Sequence, residues 1–258
     1  MRKHLFLYIK MCFHNSLSVT AQDIEHRYNA KFNSKITFEP VYHGNAFNFI
    51  KLPVITNKNI NLIEEYHWGL IPHWVKNADD AKKIKTNTLN AKSETVFEKP
   101  SFRNSIKNKR CIIPSTGFFD WQTLNPKANR TEKMPYFIFL NEQKIFSMAG
   151  LWDEWIDNAS GEVVNTFTIL TTNANSMMEK IHNTKKRMPV ILNSEDEIKW
   201  LTNDINEKNI YEFCKPYHEN KMQAYTVSKL ISSKKENSNK IEVLNKFDYV
   251  NNNVQLIF

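Results

Sequence analysis

A cysteine that directly follows a methionine near the start of the sequence is the first candidate for chemistry. Cys12 follows Met11, and removal of the preceding residues would leave an amine and a thiol on adjacent carbons. Such a 1,2-aminothiol, with an amine pKa of about 7.7–8.0 and a thiol pKa of about 8.5, captures an aldehyde as an imine and closes it to a five-membered thiazolidine. The ring closes readily because the second step is intramolecular. The alternative interpretation is a buried structural thiol on a first strand.

Two further side chains could move protons. Asp120 lies between Phe119 and Trp121, and a carboxyl group flanked by aromatic side chains is partly desolvated, which raises its pKa. His182 carries an imidazole, the side chain that exchanges protons most readily near neutral pH. Both are residue types of general acid–base catalysis. The alternatives are a turn carboxylate that accepts backbone hydrogen bonds and a surface histidine at a helix end.

Four segments concentrate tryptophan, glycine, proline and polar residues. The chain has only 5 glycines, about 2% of its residues where roughly 7% is usual. Gly69, Gly117 and Gly150 fall in or beside these segments. Where glycine is so scarce, each one is expected to mark a backbone position that a Cβ cannot occupy. The segments are residues 68–74 (WGLIPHW), 89–95 (LNAKSET), 114–121 (PSTGFFDW) and 182–189 (HNTKKRMP).

The elements that must position these segments are predicted to be mainly strands. A cap within residues 18–23 is expected to open a helix that runs to about residue 31, and a second helix is expected at 173–182. A third is expected at 194–202, with Ser194 as its cap. Because strands and helices do not alternate, the pattern favours one α+β domain around a mainly antiparallel sheet. The predicted strands are residues 36–38, 54–56, 66–70, 111–113, 136–140, 144–151 and 164–171.

The net charge of +8 is confined to the first part of the chain. Residues 1–110 hold 18 Lys and Arg against 9 Asp and Glu, whereas residues 111–258 hold 17 against 18. A one-sided basic field attracts polyanions, of which nucleic acid is the commonest, although a solvated basic face has the same composition. No glycine-rich phosphate loop is present, and no apolar run approaches the roughly 20 residues of a membrane span. Three cysteines without paired spacing argue against disulfides and a metal site, so a reducing cytoplasm is expected.

Six short motifs in a fixed order resemble the SOS-response-associated peptidase (SRAP) family, whose members shield abasic sites in single-stranded DNA. The similarity runs from Met11 to about Val227. It implies one compact, barrel-like α+β domain with a basic DNA groove and an active site at its floor. It also implies a monomer that needs no metal or cofactor and associates with the nucleoid when bound to DNA. The motifs are MC at 11–12, WGLIPHW at 68–74, NAKSET at 90–95, RCIIPSTGFFDW at 110–121, AGLW at 149–152 and H…RMPVIL at 182–192.

The resemblance assigns chemical roles to four residues. Cys12 is implied to close a thiazolidine on the ring-opened, aldehyde form of an abasic deoxyribose. Asn90 is implied to hold the N-terminal residue or the sugar; a turn asparagine is the alternative. Asp120 stands where most members have glutamate, so the carboxyl group that shuttles the proton is one methylene shorter. His182 is implied to protonate the sugar ring oxygen and to assist reversal of the crosslink.

A second group of residues is expected to contact DNA phosphates. Lys92 takes the place usually held by arginine, and it offers a point charge instead of two parallel hydrogen bonds. Arg187 matches the phosphate-binding arginine of the family. Arg103, Lys109 and Arg110 belong to the basic cluster and are expected to add further phosphate contacts.

Tryptophans near the motifs are candidates for stacking on bases. Base–aromatic stacking contributes about 1–3 kcal/mol per base and is independent of sequence. Trp68 and Trp121 are the main candidates, and one of the two is expected to face DNA. Pro72 and Trp74 could add to the same surface. Three tryptophans are expected to be part of the core: Trp152, Trp155 and Trp200.

The segment before Met11 departs from the family pattern. We interpret residues 1–11 as an N-terminal extension and residues 12–258 as the SRAP domain. In a chain that begins at Met1, Cys12 has no free amine. Either translation begins at Met11, which is the favoured reading, or the protein cleaves its own extension. The competing functions are therefore a cysteine peptidase that acts on its own N-terminus and a non-covalent single-strand binder.

Overall fold

The computed structural model describes residues 12–126, 131–202, 205–233 and 236–249. The interpreted extension, residues 1–11, lies outside the described residues. Strands dominate the described part, and the helices are short.

The elements are numbered in chain order. The strands are β1 (His14–Leu17), β2 (Lys31–Phe32), β3 (Val41–Asn45), β4 (Lys51–Thr56), β5 (Asn59–Trp68), β6 (Asn90–Lys92), β7 (Arg110–Ser115), β8 (Gly117–Leu124), β9 (Glu132–Leu140), β10 (Phe146–Ile156), β11 (Val163–Asn173), β12 (Arg187–Pro189), β13 (Ile191–Leu192) and β14 (Met222–Thr226). The helices are α1 (Ala21–Tyr28), α2 (Ala78–Lys85), α3 (Ser105–Asn108), α4 (Ser176–Ile181), α5 (Glu197–Leu201) and α6 (Glu207–Phe213). Single turns of 3₁₀ helix connect several of them.

Five long strands close into a barrel. β5 pairs with β4, β4 with β7, β7 with β10, and β10 with β11, all antiparallel. The ring closes where β11 pairs in parallel with β5, with Thr166 opposite His67 and Phe167 opposite Trp68. Gly69 lies just beyond this closure with φ of 119° and donates its N–H to Phe167 O at 2.8 Å. A side chain would be strained at that φ, as the scarcity of glycine predicted.

A second, antiparallel sheet has the strand order β14-β9-β8-β1-β3. Phe118 of β8 and Ile138 of β9 belong to one hydrophobic cluster with the barrel residue Phe167, so the two sheets share a core. Gly117 opens β8, where a Cβ would lie 2.2 Å from Cζ of Phe137. The close approach of β8 to β9 therefore requires glycine. An α+β fold with a mainly antiparallel, barrel-like core is confirmed.

Most predicted elements overlap observed ones, and three details differ. A helix cap is predicted within residues 18–23, and Thr20 caps α1 there with a capping box. The helix ends at Tyr28, before the predicted residue 31, because Asn29 adopts a left-handed conformation. Residues 36–38 form no strand. Ser194 is not a cap: it opens a 3₁₀ turn whose N-cap is Asn193. Its hydroxyl group instead accepts hydrogen bonds from the side chains of Arg27 and Gln143.

The tryptophans divide between the core and the surface, with one departure from expectation. The core positions predicted for Trp152, Trp155 and Trp200 are confirmed, since all three are buried. Trp68 is only 1% exposed, donates its indole N–H to Leu89 O, and stacks on a barrel phenylalanine. The prediction that Trp68 stacks on DNA bases is therefore wrong, because its ring is enclosed at the seam where the barrel closes.

Arg110 is also a structural residue, against its expected contact with a phosphate. Its side chain is fully buried at the start of β7. The guanidinium group donates to the main-chain oxygens of Ile106 and Lys107 in α3 and to those of Trp200 and Thr202 at the end of α5. Carbonyl groups at helix C-termini carry partial negative charge, which compensates this buried cation. Arg110 thus joins two helix ends and has no surface for DNA.

Replacing Arg110 by methionine should unfold the protein more readily. The substitution leaves four carbonyl oxygens without their donor, and we expect the free energy of unfolding to fall by about 3 kcal/mol. Arg103, an exposed residue of the same region, is the matched control. Arg103→Met should change stability by less than about 0.5 kcal/mol. Urea unfolding followed by circular dichroism measures both, and equal midpoints would contradict the structural role of Arg110.

Candidate functional site

The thiol of Cys12 lies against the carboxyl group of Asp120. Cys12 lies two residues before the start of β1, which pairs antiparallel with β8 in the register Asn15 to Phe118. Continuing this register beyond the start of β1 puts Phe13 opposite Asp120, so Cys12 lies one residue further along and within reach of the Asp120 side chain. The Cys12 S–H donates to Asp120 Oδ2 at 4.0 Å, a long contact from a weak sulfur donor. Both side chains are buried, with 6% of each residue exposed.

His182 approaches the same carboxylate from another element. It is the C-cap of α4, which packs on β8, and it is buried. Its Nδ1 lies 3.4 Å from Asp120 Oδ2 and 3.1 Å from the main-chain oxygen of Arg187. A carbonyl oxygen can only accept, so these contacts assign the hydrogen to Nδ1. Asp120 Oδ2 therefore lies between a thiol and an imidazole N–H.

Asn183 ties the histidine segment to the strand that carries Asp120. Its side-chain amide accepts from the Thr123 N–H at 3.0 Å and donates to Thr123 O at 2.9 Å. This pair of bonds imitates the pairing of a neighbouring strand and fixes the chain next to His182. Sequence reasoning missed Asn183, and its position directly after the candidate histidine is the only signal that could have indicated it.

Asn90 completes this group from the barrel side. It is the first residue of β6, which runs parallel to β11 with Asn90 opposite Ile169. Its amide nitrogen donates to Cys12 O at 3.5 Å, and the residue is buried. The expected closeness of Asn90 to the cysteine is therefore present in the structure. The contact is to the main chain of Cys12, so Asn90 can hold that residue's backbone in place.

Burial sets the protonation of both acidic groups. Desolvation raises the pKa of Asp120 above its ordinary 3.8, although His182 and the Trp121 N–H act in the opposite direction. The raised pKa inferred from the aromatic neighbours in sequence is thus confirmed. Burial, followed by the charge of Asp120, raises the pKa of the Cys12 thiol well above 9.0. The thiol therefore stays protonated at neutral pH, and Asp120 is placed to accept its proton when sulfur attacks an electrophile.

Arg187 adjoins the site but its guanidinium group faces a carboxylate. It opens β12, which pairs with β11, and it is 7% exposed. Both terminal nitrogens contact Glu94, at 2.5 Å and 2.9 Å. Sequence reasoning missed Glu94, although it lies in the NAKSET motif beside the exposed Lys92. Arg187 contributes its main-chain oxygen to His182 and its side chain to Glu94.

The other expected DNA contacts are spread over the surface. Arg103 and Lys92 are exposed, whereas Lys109 is paired with the buried carboxylate of Asp153. Trp121 is half-buried next to Asp120, with its ring 4.5 Å from the His14 ring in an edge-on arrangement. The structure thus brings together Cys12, Asn90, Asp120, His182 and Arg187. Of the further stacking candidates, Trp74 has 48% of its surface exposed.

The described residues offer no evident place for a metal ion. Across residues 12–126, 131–202, 205–233 and 236–249, no group of three or more His, Cys, Asp or Glu side chains is arranged to hold one. In the same part of the chain, no helix is long and apolar enough to cross a membrane.

A family model covers most of the chain, including every residue of this site. The model described as SOS response associated peptidase (SRAP) matches residues 11–234. The chain belongs to this family. Among the curated relatives, the abasic site processing protein YoqW of Bacillus subtilis is 38% identical over 234 residues, covering 88% of this chain and 97% of its own. The abasic site processing protein HMCES of Xenopus tropicalis is 35% identical over 153 residues, covering 52% of this chain and 43% of its own.

Solved structures show the same fold. A protein from Bacteroides thetaiotaomicron superposes with a TM-score of 0.84 and 40% identity, covering 92% of this chain and 100% of its own. A protein from Bordetella bronchiseptica superposes with a TM-score of 0.68 at 24% identity, covering 84% of this chain and 100% of its own. At that lower identity the likeness concerns the fold alone.

Alkylation of Cys12 by iodoacetamide should be slow at pH 8 and should accelerate in Asp120→Asn. The thiolate is the reactive species, and the raised pKa of Cys12 keeps its fraction small until the pH rises above 9.0. Removing the Asp120 charge lowers the pKa of the thiol and increases that fraction. Mass spectrometry of the labelled peptides over a pH series measures the rate at each cysteine separately.

Cys214 in the same sample is the control. Burial raises the pKa of Cys214 to about 12, with Glu94 as the next cause and no contribution from Asp120. Its alkylation should therefore be equal in the two proteins, whereas general unfolding would accelerate it. Rapid labelling of Cys12 that is already maximal at pH 7 would contradict the protonated thiol.

Proposed function

We propose that this protein traps abasic sites in single-stranded DNA covalently, through a thiazolidine formed by Cys12 as the N-terminal residue. The observation that carries the proposal is the convergence of the Cys12 thiol, the Asp120 carboxyl group and the His182 imidazole, with the Asn90 amide on the Cys12 backbone. Membership of a family whose relatives are named abasic site processing proteins supports the choice of substrate.

The reaction needs no redox partner and releases one water. The Cys12 amine attacks C1′ of the ring-opened sugar, and the resulting carbinolamine loses its oxygen as water to give an imine. The sulfur then bonds to the same carbon while its proton passes to the nitrogen. One C–N bond and one C–S bond replace the carbonyl C=O. Holding amine and thiol on adjacent carbons makes the second step intramolecular.

Asp120 and His182 divide the proton transfers. Asp120 Oδ2 lies near both the thiol and the imidazole, so it can receive the sulfur proton and exchange it with His182. Its raised pKa brings the carboxyl group closer to the pH at which it must take up and release that proton. His182 in turn protonates the sugar ring oxygen, which opens the deoxyribose to its aldehyde, and assists reversal of the crosslink.

Single-stranded DNA is the partner best matched by the surface. The net charge of the first 110 residues supplies long-range attraction, and the exposed Lys92 and Arg103 supply phosphate contacts. Trp121, half-buried beside Asp120, offers an aromatic face to a base that flanks the lesion. A protein with this activity acts as a monomer in the DNA damage response, in the cytoplasm and on the nucleoid.

The amine of Cys12 must be free for this chemistry. In the proposed mature protein, residues 1–11 are absent because translation begins at Met11 and an aminopeptidase removes that methionine. Self-cleavage of residues 1–11 is the other route to the same terminus. Residues 12–258 then form the functional SRAP domain.

A general thiol peptidase has less support than covalent trapping. A thiol peptidase needs a thiolate, which is usually stabilised by a neighbouring imidazolium. Here the Cys12 thiol contacts the Asp120 carboxyl group, and the pKa of the thiol is raised by burial and by that charge. A species that begins at Cys12, formed from purified full-length protein without aminopeptidase, would instead favour self-cleavage.

A denaturing gel tests the covalent proposal. Protein translated from Met11, with a mature terminus at Cys12 verified by intact mass, should give a shifted band with abasic single-stranded DNA. Cys12→Ser should give no band, because serine cannot supply the sulfur. Cys214→Ser, a substitution at another buried cysteine, should retain it. A band of equal intensity from Cys12→Ser would refute the proposal, and reversible binding without any band would favour the non-covalent binder.

Removing the Asn183 amide should slow the crosslink by misplacing His182. Asn183→Ala loses both hydrogen bonds to Thr123, and we expect a rate about tenfold lower from the poorer geometry. Asn158→Ala is the matched control, because this exposed asparagine makes only a long bond to a distant loop. Single-turnover gels below the unfolding temperature measure both rates. Equal rates would show that Asn183 does not position the site.

A further inference from the structure

The ion pair with Glu94 engages the guanidinium group of Arg187, whose charge acts on the Cys12 thiol. Arg187 is more than nine-tenths buried, whereas 43% of the Glu94 side chain is exposed. The two groups meet as a fork, with one carboxylate oxygen on each terminal nitrogen of the guanidinium group. This is the arrangement in which arginine binds a phosphate through two parallel hydrogen bonds.

While Glu94 is bound, every N–H of the two terminal nitrogens of Arg187 is used in a hydrogen bond. One terminal nitrogen also donates to Asn173 Oδ1 at 3.0 Å, and the other donates to Thr171 O at 2.7 Å. Each of these nitrogens carries two hydrogens, so the fork is fully used. A phosphate can take the two parallel bonds only if the Glu94 carboxylate leaves.

A further donor of Arg187, the Nε–H, lies outside the fork. The Nε–H is buried and has no hydrogen-bond partner among the described residues. A buried donor without an acceptor is costly, and most such groups in proteins are paired. The Nε–H lies on a different edge of the planar guanidinium group from the fork, so a phosphate that replaces the Glu94 carboxylate takes the two fork bonds alone.

We propose that Glu94 is a displaceable latch that occupies the phosphate site of Arg187 and is exchanged for a DNA backbone phosphate when the strand enters the site. The inference rests on the proposed binding of single-stranded DNA. Glu94 lies on one turn of 3₁₀ helix, Ser93–Thr95, and its exposed side chain can rotate into water without disturbing a larger element. The buried Arg187 stays where Asn173 and Thr171 hold it.

The latch allows the site to bind more tightly those DNA strands whose phosphate reaches Arg187. The pKa of Glu94 is pushed up by desolvation, but the hydrogen bonds and charge of Arg187 outweigh this effect and leave it below 4.5. Glu94 is therefore ionised and masks the Arg187 charge at neutral pH. Strands that touch only the outer surface meet the exposed Lys92 and Arg103. Arg187 adds its charge only for a phosphate that arrives close enough to replace the carboxylate.

The test measures non-covalent binding of the Cys12→Ser protein to a single-stranded oligonucleotide that carries a tetrahydrofuran analogue of an abasic site. Fluorescence anisotropy at one fixed salt concentration gives the dissociation constant. Adding Glu94→Gln should tighten binding about fivefold, the effect of removing one ion pair that competes with the ligand. Glu98→Gln is the matched control, since this exposed glutamate lies four residues away and makes the same change in charge. It should tighten binding less than about twofold.

Glu94→Asp separates a latch from simple charge repulsion. The aspartate keeps the negative charge but is one methylene too short to hold the fork, so a latch predicts tighter binding than in the parent protein. Repulsion alone predicts unchanged binding for Glu94→Asp, and that result would overturn the latch. In an Arg187→Met background, Glu94→Gln should no longer have an effect, because the competed donor is gone.

The outcomes also separate the latch from the proposed function. If the protein with free Cys12 forms the crosslink but Glu94→Gln binds no better than Glu98→Gln, the latch is wrong and the function stands. If neither crosslink nor binding to the abasic oligonucleotide is seen, the proposed function fails and the latch fails with it. An unfolding midpoint of Glu94→Gln within a few degrees of the parent protein would exclude misfolding as the cause of any loss of DNA binding.

Discussion

The pairing of one central strand, β11, is the constraint on which the rest of the structure depends. It is hydrogen-bonded to β10 and β12 in antiparallel fashion and to β5 and β6 in parallel. The pairing with β5 closes the barrel, and the pairings with β6 and β12 place Asn90 and Arg187 at neighbouring edges. Because residues 166–172 of β11 are all buried, its register there is strongly specified, and the two site segments inherit that precision.

The site itself forms where this barrel meets the second sheet. Cys12 comes from the segment just before β1, Asp120 from β8, His182 from the end of α4, and Asn90 from the barrel side. A carboxyl group and a thiol are thereby enclosed together, which disfavours the charged form of each. Such an arrangement contributes little to stability. It does keep a protonated nucleophile and a poised proton acceptor in contact, away from bulk water, until a substrate arrives.

Sequence patterns predicted the type of fold better than its details. Alternating apolar residues identified most long strands. The strand predicted at residues 36–38 was wrong because a short apolar run does not reveal whether a pairing partner is available. The strand β8 was missed, since its glycine and its buried aspartate are untypical of strands. Arg110 was misassigned because charge in a sequence does not distinguish a surface cation from one enclosed by carbonyl groups at helix ends.

By itself the sequence determined the residue types of the site, the concentration of basic charge before residue 111, and the motif order that resembles one family. Only the tertiary structure decided which of those residues meet. Asp120 meets Cys12 because the segment that carries Cys12 leads into β1, which pairs with β8 although the two are distant in the chain. Arg187 faces Glu94 because β12 and the turn after β6 both lie beside β11. Contacts of this kind depend on register and burial, which are properties of the assembled sheets, so no local pattern of residues contains them.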